Sequence, residues 1–536
     1  MILRGLRHFW VWSLVSAAWT VLLLSSGAAS PVGAQGLPGT TLDSLHLTRE
    51  DVAYLALLNS RDLKVERFNS RIIEQDIANE RSAFHPAFSM ESSGSKSTSL
   101  SSTALSGTAE PQIDTANWST GIRAKLISGA TASFDFANSH IDSNSAFLTL
   151  NPVYQSSLTL TLTQPLLKNF GPSVNSWRIK VGENNAGISR YQLEAKVANT
   201  LTDAENTYWD LAMTFKDLEI RGRALDLTRA LAKRTEELVS EGMMPETALL
   251  QAKATVLQRE ADVLGAQNAL QDTRSRLKDL LNFAAGGSPQ IVPLDQPSAD
   301  ARSIDIEQAV KDALAKRPEL PQVRLDLKNK DVVLGYAKNQ VLPQLNLFGS
   351  YGLMGLAGEP TTLAVGGQTV TTTVNGIVSS TTSASAGDYG TALGNLFSGN
   401  YPTWRVGVNL TYPIGNVAAD SQLKRAGLDL QKAELTVKNV ERAIALEVQR
   451  LGNQIQSIFK VIEAARAFRE QAQLRLNVTR DEFQMGMVSL STVVEVQRDL
   501  VTAEREEWKT IVDYNKIIVL FERATGAMLE RYRVDL

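Results

Sequence analysis

No cysteine occurs in the 536 residues. Disulfides, thiol nucleophiles, thiolate metal sites and a lipid-bearing cysteine are therefore excluded. Histidine is nearly as scarce. His8, His46, His85 and His140 lie far apart in sequence, so no histidine-rich metal site and no cofactor is expected. An excess of one charge is missing as well. The formal net charge is −3, without the basic surplus of a nucleic-acid partner. No Gly-rich Lys motif for a nucleotide is present and no nucleophile–base arrangement stands out, so no catalytic residue is assigned and no enzyme is expected. Long apolar runs are confined to the N-terminus. Arg4, Arg7 and His8 precede the run Phe9–Leu24, and Val32-Gly33-Ala34 follows. Residues 1–34 thus read as a signal peptide, because a run of roughly 16 residues is short of the ~20 a spanning helix requires. An exported chain that must still sit in a membrane needs β-strands.

What the sequence does contain is a repeat. Leu47–Gly94 superposes on the segment near Ile304–Tyr351 without a gap from the fifties onward: Leu57 meets Leu314, Leu63 meets Leu320, Arg67 meets Arg324, and Pro86 meets Pro343. Leu158–Pro165 (LTLTLTQP) resembles Val406–Pro413 (VGVNLTYP), and Ser240–Met244 (SEGMM) resembles Gln484–Val488 (QMGMV). Three landmarks in one order, about 250 residues apart, describe a duplicated half, since solenoid repeats are far shorter. The halves are 35–302, with strands at about 86–165 and a helical hairpin at about 173–282, and 303–536, with strands at about 343–413 and a hairpin at about 416–526.

Helical stretches from Ser60 and Pro318 end ahead of Pro86 and Pro343, where proline stops a helix. Leu158, Leu160 and Leu162 then alternate with Thr159, Thr161 and Thr163, and Val406, Val408 and Leu410 alternate with Gly407, Asn409 and Thr411. Period two gives one apolar and one polar face, which in a membrane barrel meet lipid and water. Long helices follow. Val197, Leu201, Ala204, Tyr208, Leu211, Phe215, Leu218, Gly222 and Leu225 keep a 4-3 spacing, as do Ile444, Val448, Leu451, Ile455, Ile458, Ile462 and Ala465. Such heptads specify left-handed coiled packing. At least four strands per chain are too few to close a barrel, so the chain must assemble. Trp118–Phe136 reads as one more hairpin, either enlarging the barrel or, as the preferred reading, projecting outside the cell. Leu353–Asn400, rich in Gly, Ser and Thr, reads as a flexible extracellular loop.

The order of elements resembles the TolC family of outer-membrane efflux proteins. The resemblance is carried by Ala83-Phe84-His85-Pro86, Val341-Leu342-Pro343-Gln344, Thr163–Leu167 with Gly171, and the turns at Glu241–Met243 and Met485–Met487. It implies an α+β membrane protein, mainly long α-helices, in which duplicated helix–strand–strand–helix units form a trimeric β-barrel above a periplasmic α-barrel. The implied partners are two further copies, a periplasmic adaptor, an inner-membrane transporter and outer-membrane lipid. Adaptor docking falls to Gly242, Met243, Met244, Gly486 and Met487. The family's acidic constriction pair maps onto Thr492 and Glu495, which leaves one carboxylate. The polar links of its closed state map onto Thr247, Ala248, Phe483 and Val488, most of which lack the side chains for them, so apolar packing is expected instead. The competing reading is a periplasmic coiled-coil adaptor or a structural envelope protein without a pore. Adaptors lack the membrane strands and this full-length duplication.

Overall fold

The computed structural model describes residues 44–101, 108–145, 148, 150–283, 289–361, two-residue strand pairs within 364–378, and 386–533. The signal-peptide segment lies outside the described residues.

The two halves open alike. Helix α1 (Arg49–Asn59) starts on a capping box, in which the Thr48 hydroxyl accepts from the Asp51 N–H while the Asp51 carboxylate accepts from the Thr48 N–H. Its counterpart α6 (Ile306–Lys316) is also 11 residues and is capped by Asp305. Helices α2 (Arg61–Ser82) and α7 (Glu319–Gln340) follow, each 22 residues long. Strands β2 (Ala87–Thr98) and β7 (Gln344–Pro360) begin one residue after Pro86 and Pro343.

The first half then departs from the second. Two strands, β3 (Gln112–Lys125) and β4 (Thr131–Ser143), stand between β2 and β5 (Leu150–Pro165). The second half goes from β7 to β12 (Pro402–Thr411). All six form one sheet in the order β12-β7-β5-β4-β3-β2, with antiparallel neighbours throughout. Minor two-residue ladders, β8 (Ala364–Val365) with β9 (Gln368–Thr369) and β10 (Thr373–Val374) with β11 (Ile377–Val378), lie in the connection.

That connection is less loop-like than its composition suggests. Leu353–Pro360 continues β7, and Tyr389–Phe397 forms helix α8, capped by Asp388. Glycine makes the docking possible: a Cβ on Gly355 would lie 2.0 Å from the carbonyl oxygen of Ala392 in α8. The Tyr389 ring meets Trp118 edge-on at 5.4 Å, and its hydroxyl hydrogen-bonds Asn138 at 3.0 Å.

Short α3 (Pro172–Asn175) leads into α4 (Trp177–Ser240), 64 residues long, which returns as α5 (Glu246–Leu280). In the second half α9 (Val417–Gln484), 68 residues, returns as α10 (Leu490–Ala524). At 1.5 Å per residue the long helices extend roughly 100 Å from the sheet to their turns. Midway, β1 (Ser44–Leu47) pairs in parallel with β6 (Gln290–Pro293), and with α1 and α11 (Ala527–Arg531) they pack on α4 around Leu201, Tyr208, Leu277 and Ile291. The second heptad holds, with Ile444, Val448, Leu451, Ile455 and Ile462 all buried. The first holds from Val197 to Leu211 and then drifts. Phe215 is exposed; Leu225 is again buried, and burial spreads to Ile220, Ala224, Thr228, Leu231 and Thr235. Here α4 leaves α1, β6 and α11 of the mid-length girdle behind, while α5 and α10 continue beside it. No described helix is long and apolar enough to cross a membrane.

Candidate functional site

The sheet sorts its side chains by face. One cross-strand row runs Phe88–Ile122–Phe134–Leu160–Tyr351–Trp404, and all six residues are exposed on the isolated chain. The adjacent row on the opposite face runs Ala87–Arg123–Ser133–Thr161–Ser350–Arg405. Alternation of the backbone at period two puts these two rows on opposite faces of every strand, including β3 and β4, although β7 also carries Phe348, Met354 and Leu356 on the second face and Asn138 and Ser156 lie on the first. Exposed aromatic and aliphatic side chains in one continuous belt require an apolar medium or a partner.

The β3–β4 turn settles where that hairpin goes. It lies at the helical end of the sheet. Gly129 adopts φ +93°, and a Cβ there would lie 2.2 Å from the Asn169 carbonyl oxygen, so glycine is required. The Gly171 N–H donates to the Ser128 carbonyl at 3.0 Å, and the Asn175 amide donates to the carbonyls of Asn169 and Gly171. The hairpin is therefore built into the sheet and returns to the junction with α4. The preferred expectation of a projecting extracellular hairpin is corrected: its inward and outward residues match those of β5 row by row.

The opposite end of the molecule carries the two turns. Gly242 and Gly486 both sit at φ +74°. The next N–H reaches back into the helix in both, Met243 to the Leu238 carbonyl at 2.8 Å and Met487 to the Glu482 carbonyl at 2.9 Å. This is the Schellman closure, which needs a left-handed residue and so favours glycine. Met243 and Met487 are left 71 % and 64 % exposed, whereas Met244 turns inward. Phe483 is 6 % exposed and packs with Leu231, Leu476, Leu490 and Val493, and Val488 and Met244 join that cluster. The structure thus brings Phe483, Val488 and Met244 together. It leaves Thr247 exposed and Ala248 half-buried on the first turn of α5. Ser489 caps α10 through the Thr492 N–H. Thr492 is half-buried, and Glu495 is exposed one turn further along. Glu495 and Gln251 each occupy the sixth position of their returning helix.

A family model described as outer membrane efflux protein matches residues 52–282 and 309–511, which is most of the chain. The chain belongs to the outer membrane efflux protein family. It is a component of an outer-membrane efflux channel, and the adaptor reading is not favoured. Solved structures agree in fold. The chain is similar to CusC (15 % identity, 92 % of this chain and 95 % of that one, TM-score 0.63). It is similar to the CmeC outer membrane channel of Campylobacter jejuni (17 %, 89 % and 85 %, 0.60) and to the outer membrane protein VceC of Vibrio cholerae (15 %, 89 % and 96 %, 0.61). A sequence search of curated proteins finds no match.

In this channel subunit several functional-looking groups that periodicity could not reveal tie the halves together. Gln497, 1 % exposed, donates to the Ala224 carbonyl at 2.8 Å and bonds Thr228. Arg505 pairs with Asp217, and Lys516 with Asp210. Within the second half, Glu447 receives Arg317 at 2.5 Å and Arg523 at 2.8 Å, while Glu319 receives Arg317 at 2.8 Å. Burial pulls the Glu447 carboxyl upward, but the two guanidiniums outweigh it and hold it below the usual range. In the girdle, burial pushes the Glu205 carboxyl up, although the Tyr532 hydroxyl donates to it at 2.7 Å. Burial likewise pushes the Tyr208 phenol up to about 12.

Proposed function

We propose that this chain forms a homotrimer in the cell outer membrane, with its helices extending through the periplasm as a passive exit duct without enzymatic activity. The tips at Gly242–Met244 and Gly486–Met487 dock a periplasmic adaptor, which couples the duct to an inner-membrane transporter. Thr492 and Glu495 line the constriction, where three Glu495 carboxylates attract cations. Thr247, Ala248, Phe483 and Val488 hold the closed tip, with Phe483 and Val488 acting through apolar packing. The chain is organised as a signal peptide at 1–34 and repeats at 35–302 and 303–536. No nucleic acid takes part.

The observation that carries this reading is the separation of the two ends. An apolar-banded sheet stands at one end of helices roughly 100 Å long, and exposed methionine turns stand at the other. The sheet is open, with β2 and β12 as its edges. Open edges are not tolerated in lipid. β2 runs away from the helices and β12 runs toward them, so the edge of one copy meets the edge of the next antiparallel.

Photo-crosslinking groups at Met243 and Met487 test the reading in cells. The expected products are adducts with an adaptor, on a heat-resistant trimer recovered in the outer-membrane fraction. Recovery of a monomer in the soluble periplasm would overturn the reading.

A further inference from the structure

The six-stranded sheet changes the barrel itself. We infer that the β3–β4 hairpin spans the outer membrane, so that three copies close an 18-stranded barrel. This rests on the trimeric channel reading above.

Four observations carry it. First, β3 and β4 are 14 and 13 residues long, and a strand needs about 9–11 residues to cross. Second, the apolar belt continues into them near the helical end of the sheet, before the same face reaches Asn138 and Ser156. Ile122 and Phe134 stand between Phe88 and Leu160 in one row, and Thr120 and Phe136 stand between Met90 and Leu158 in the next. A hairpin in water would have no cause to carry exposed Ile122 and Phe134 on the same face as the lipid-facing strands. Third, the opposite faces carry Ser119, Arg123, Ser133 and Asp135, in register with the polar residues of β2 and β5. An ionised pair of side chains per hairpin belongs in a water-filled lumen, because charge facing lipid is costly. Fourth, the hairpin turn is bonded to the junction through Ser128, whose carbonyl accepts from the Gly171 N–H and the Gln164 amide, and Gly129 lies against Asn169 and Asn175. Its strands therefore begin and end at the same levels as their neighbours.

The helices do not grow in step. Per chain, α2, α3–α4, α7 and α9 follow or precede β2, β5, β7 and β12, while β3 and β4 end in a turn. Three copies place twelve helices below eighteen strands. Barrel diameter rises roughly linearly with strand number, so the bore is about 1.5 times that of a 12-stranded barrel. An even number of strands per chain keeps every closing pair antiparallel.

Cryo-electron microscopy of the full-length protein in lipid nanodiscs tests this. A threefold particle with eighteen strands is expected. A threefold particle with twelve strands and the hairpin outside would overturn the inference and leave the channel reading standing. A particle without threefold symmetry would overturn the trimer on which both rest. Because the chain has no cysteine, single-cysteine variants give a second reading in intact membranes. S119C and S133C should react with a bilayer-impermeant maleimide added to outer-membrane vesicles. I122C and F134C should stay unreacted until detergent removes the lipid. Equal reaction of all four would place the hairpin in water and overturn the inference.

Discussion

At the scale of single residues, a half-buried cluster of ion pairs sits where α7, α9 and α10 meet. Glu447 bridges Arg317, whose side chain is 9 % exposed, and Arg523. Removing the carboxylate in E447Q leaves two guanidiniums short of charge, which costs about 3 kcal/mol for a largely buried pair. The pH dependence follows from the direction of the shift. Glu319 and Glu447 are both held below their ordinary value of 4.5, so their contribution is complete above that pH and is lost as the pH falls through the lower folded-state values. The difference in melting temperature between wild type and E447Q should be constant from neutral to about pH 5 and shrink below pH 4.5, as read by thermal denaturation. Glu205 and Glu522, raised by burial, act in the opposite sense, and the mutant comparison removes their contribution. At the tip, E495Q should lower the cation preference of the channel, measured as a reversal potential under a salt gradient. An unchanged potential would remove Glu495 from the constriction.

Elements carry the next level of prediction. Gly242 and Gly486 have open space around a would-be Cβ, so the cost of alanine there is conformational, about 1 kcal/mol at each left-handed position. The expected loss is small at each turn, and because Met244 and Val488 pack on one cluster, the double variant G242A/G486A measures the coupling between the turns as a departure from the sum. Phe483 differs. It fills the interior of its own coiled coil, and F483A removes a core aromatic, costing about 3–5 kcal/mol. Looser tips should also raise single-channel conductance in F483A and in V488A; unchanged conductance in both would show that these side chains do not hold the tip closed. At this scale much of the fold is legible in the sequence. Ile444 through Ile462 announce their seam by spacing, and Pro86 and Pro343 announce the strand starts. The seam at Phe215 misleads because α4 passes out of the girdle of α1, β6 and α11 there, and the reach of such a girdle is not written in local periodicity. Gln497 is equally silent, since its acceptor is the Ala224 carbonyl 273 positions away. Trp118–Phe136 alternates like any hairpin. Its place in the sheet depends on Ile122 facing Phe134 and Phe134 facing Leu160, and on a turn tied to Asn169, contacts that only the folded chain assembles.

For the whole molecule, the division of labour follows from placing unlike chemistry at opposite ends. The sheet carries Phe88, Ile122, Phe134, Leu160, Tyr351 and Trp404 on one face and Arg123, Thr161 and Arg405 on the other, and the proposed trimer turns the first to lipid and the second to water. In that arrangement the helices carry the polar passage away from the membrane, and buried cross-links such as Gln497 to Ala224 keep the two halves in register. The proposed constriction residues are reachable from the sequence only through resemblance, because an exposed Glu495 on a helix has no local signature of a pore. The most direct measurement of the central claim is ionic current through the purified full-length protein in a planar lipid bilayer. A channel account predicts discrete, long-lived conductance steps whose ion preference shifts in E495Q. A protein that inserts yet passes no stepwise current, in wild type and in F483A alike, would contradict it.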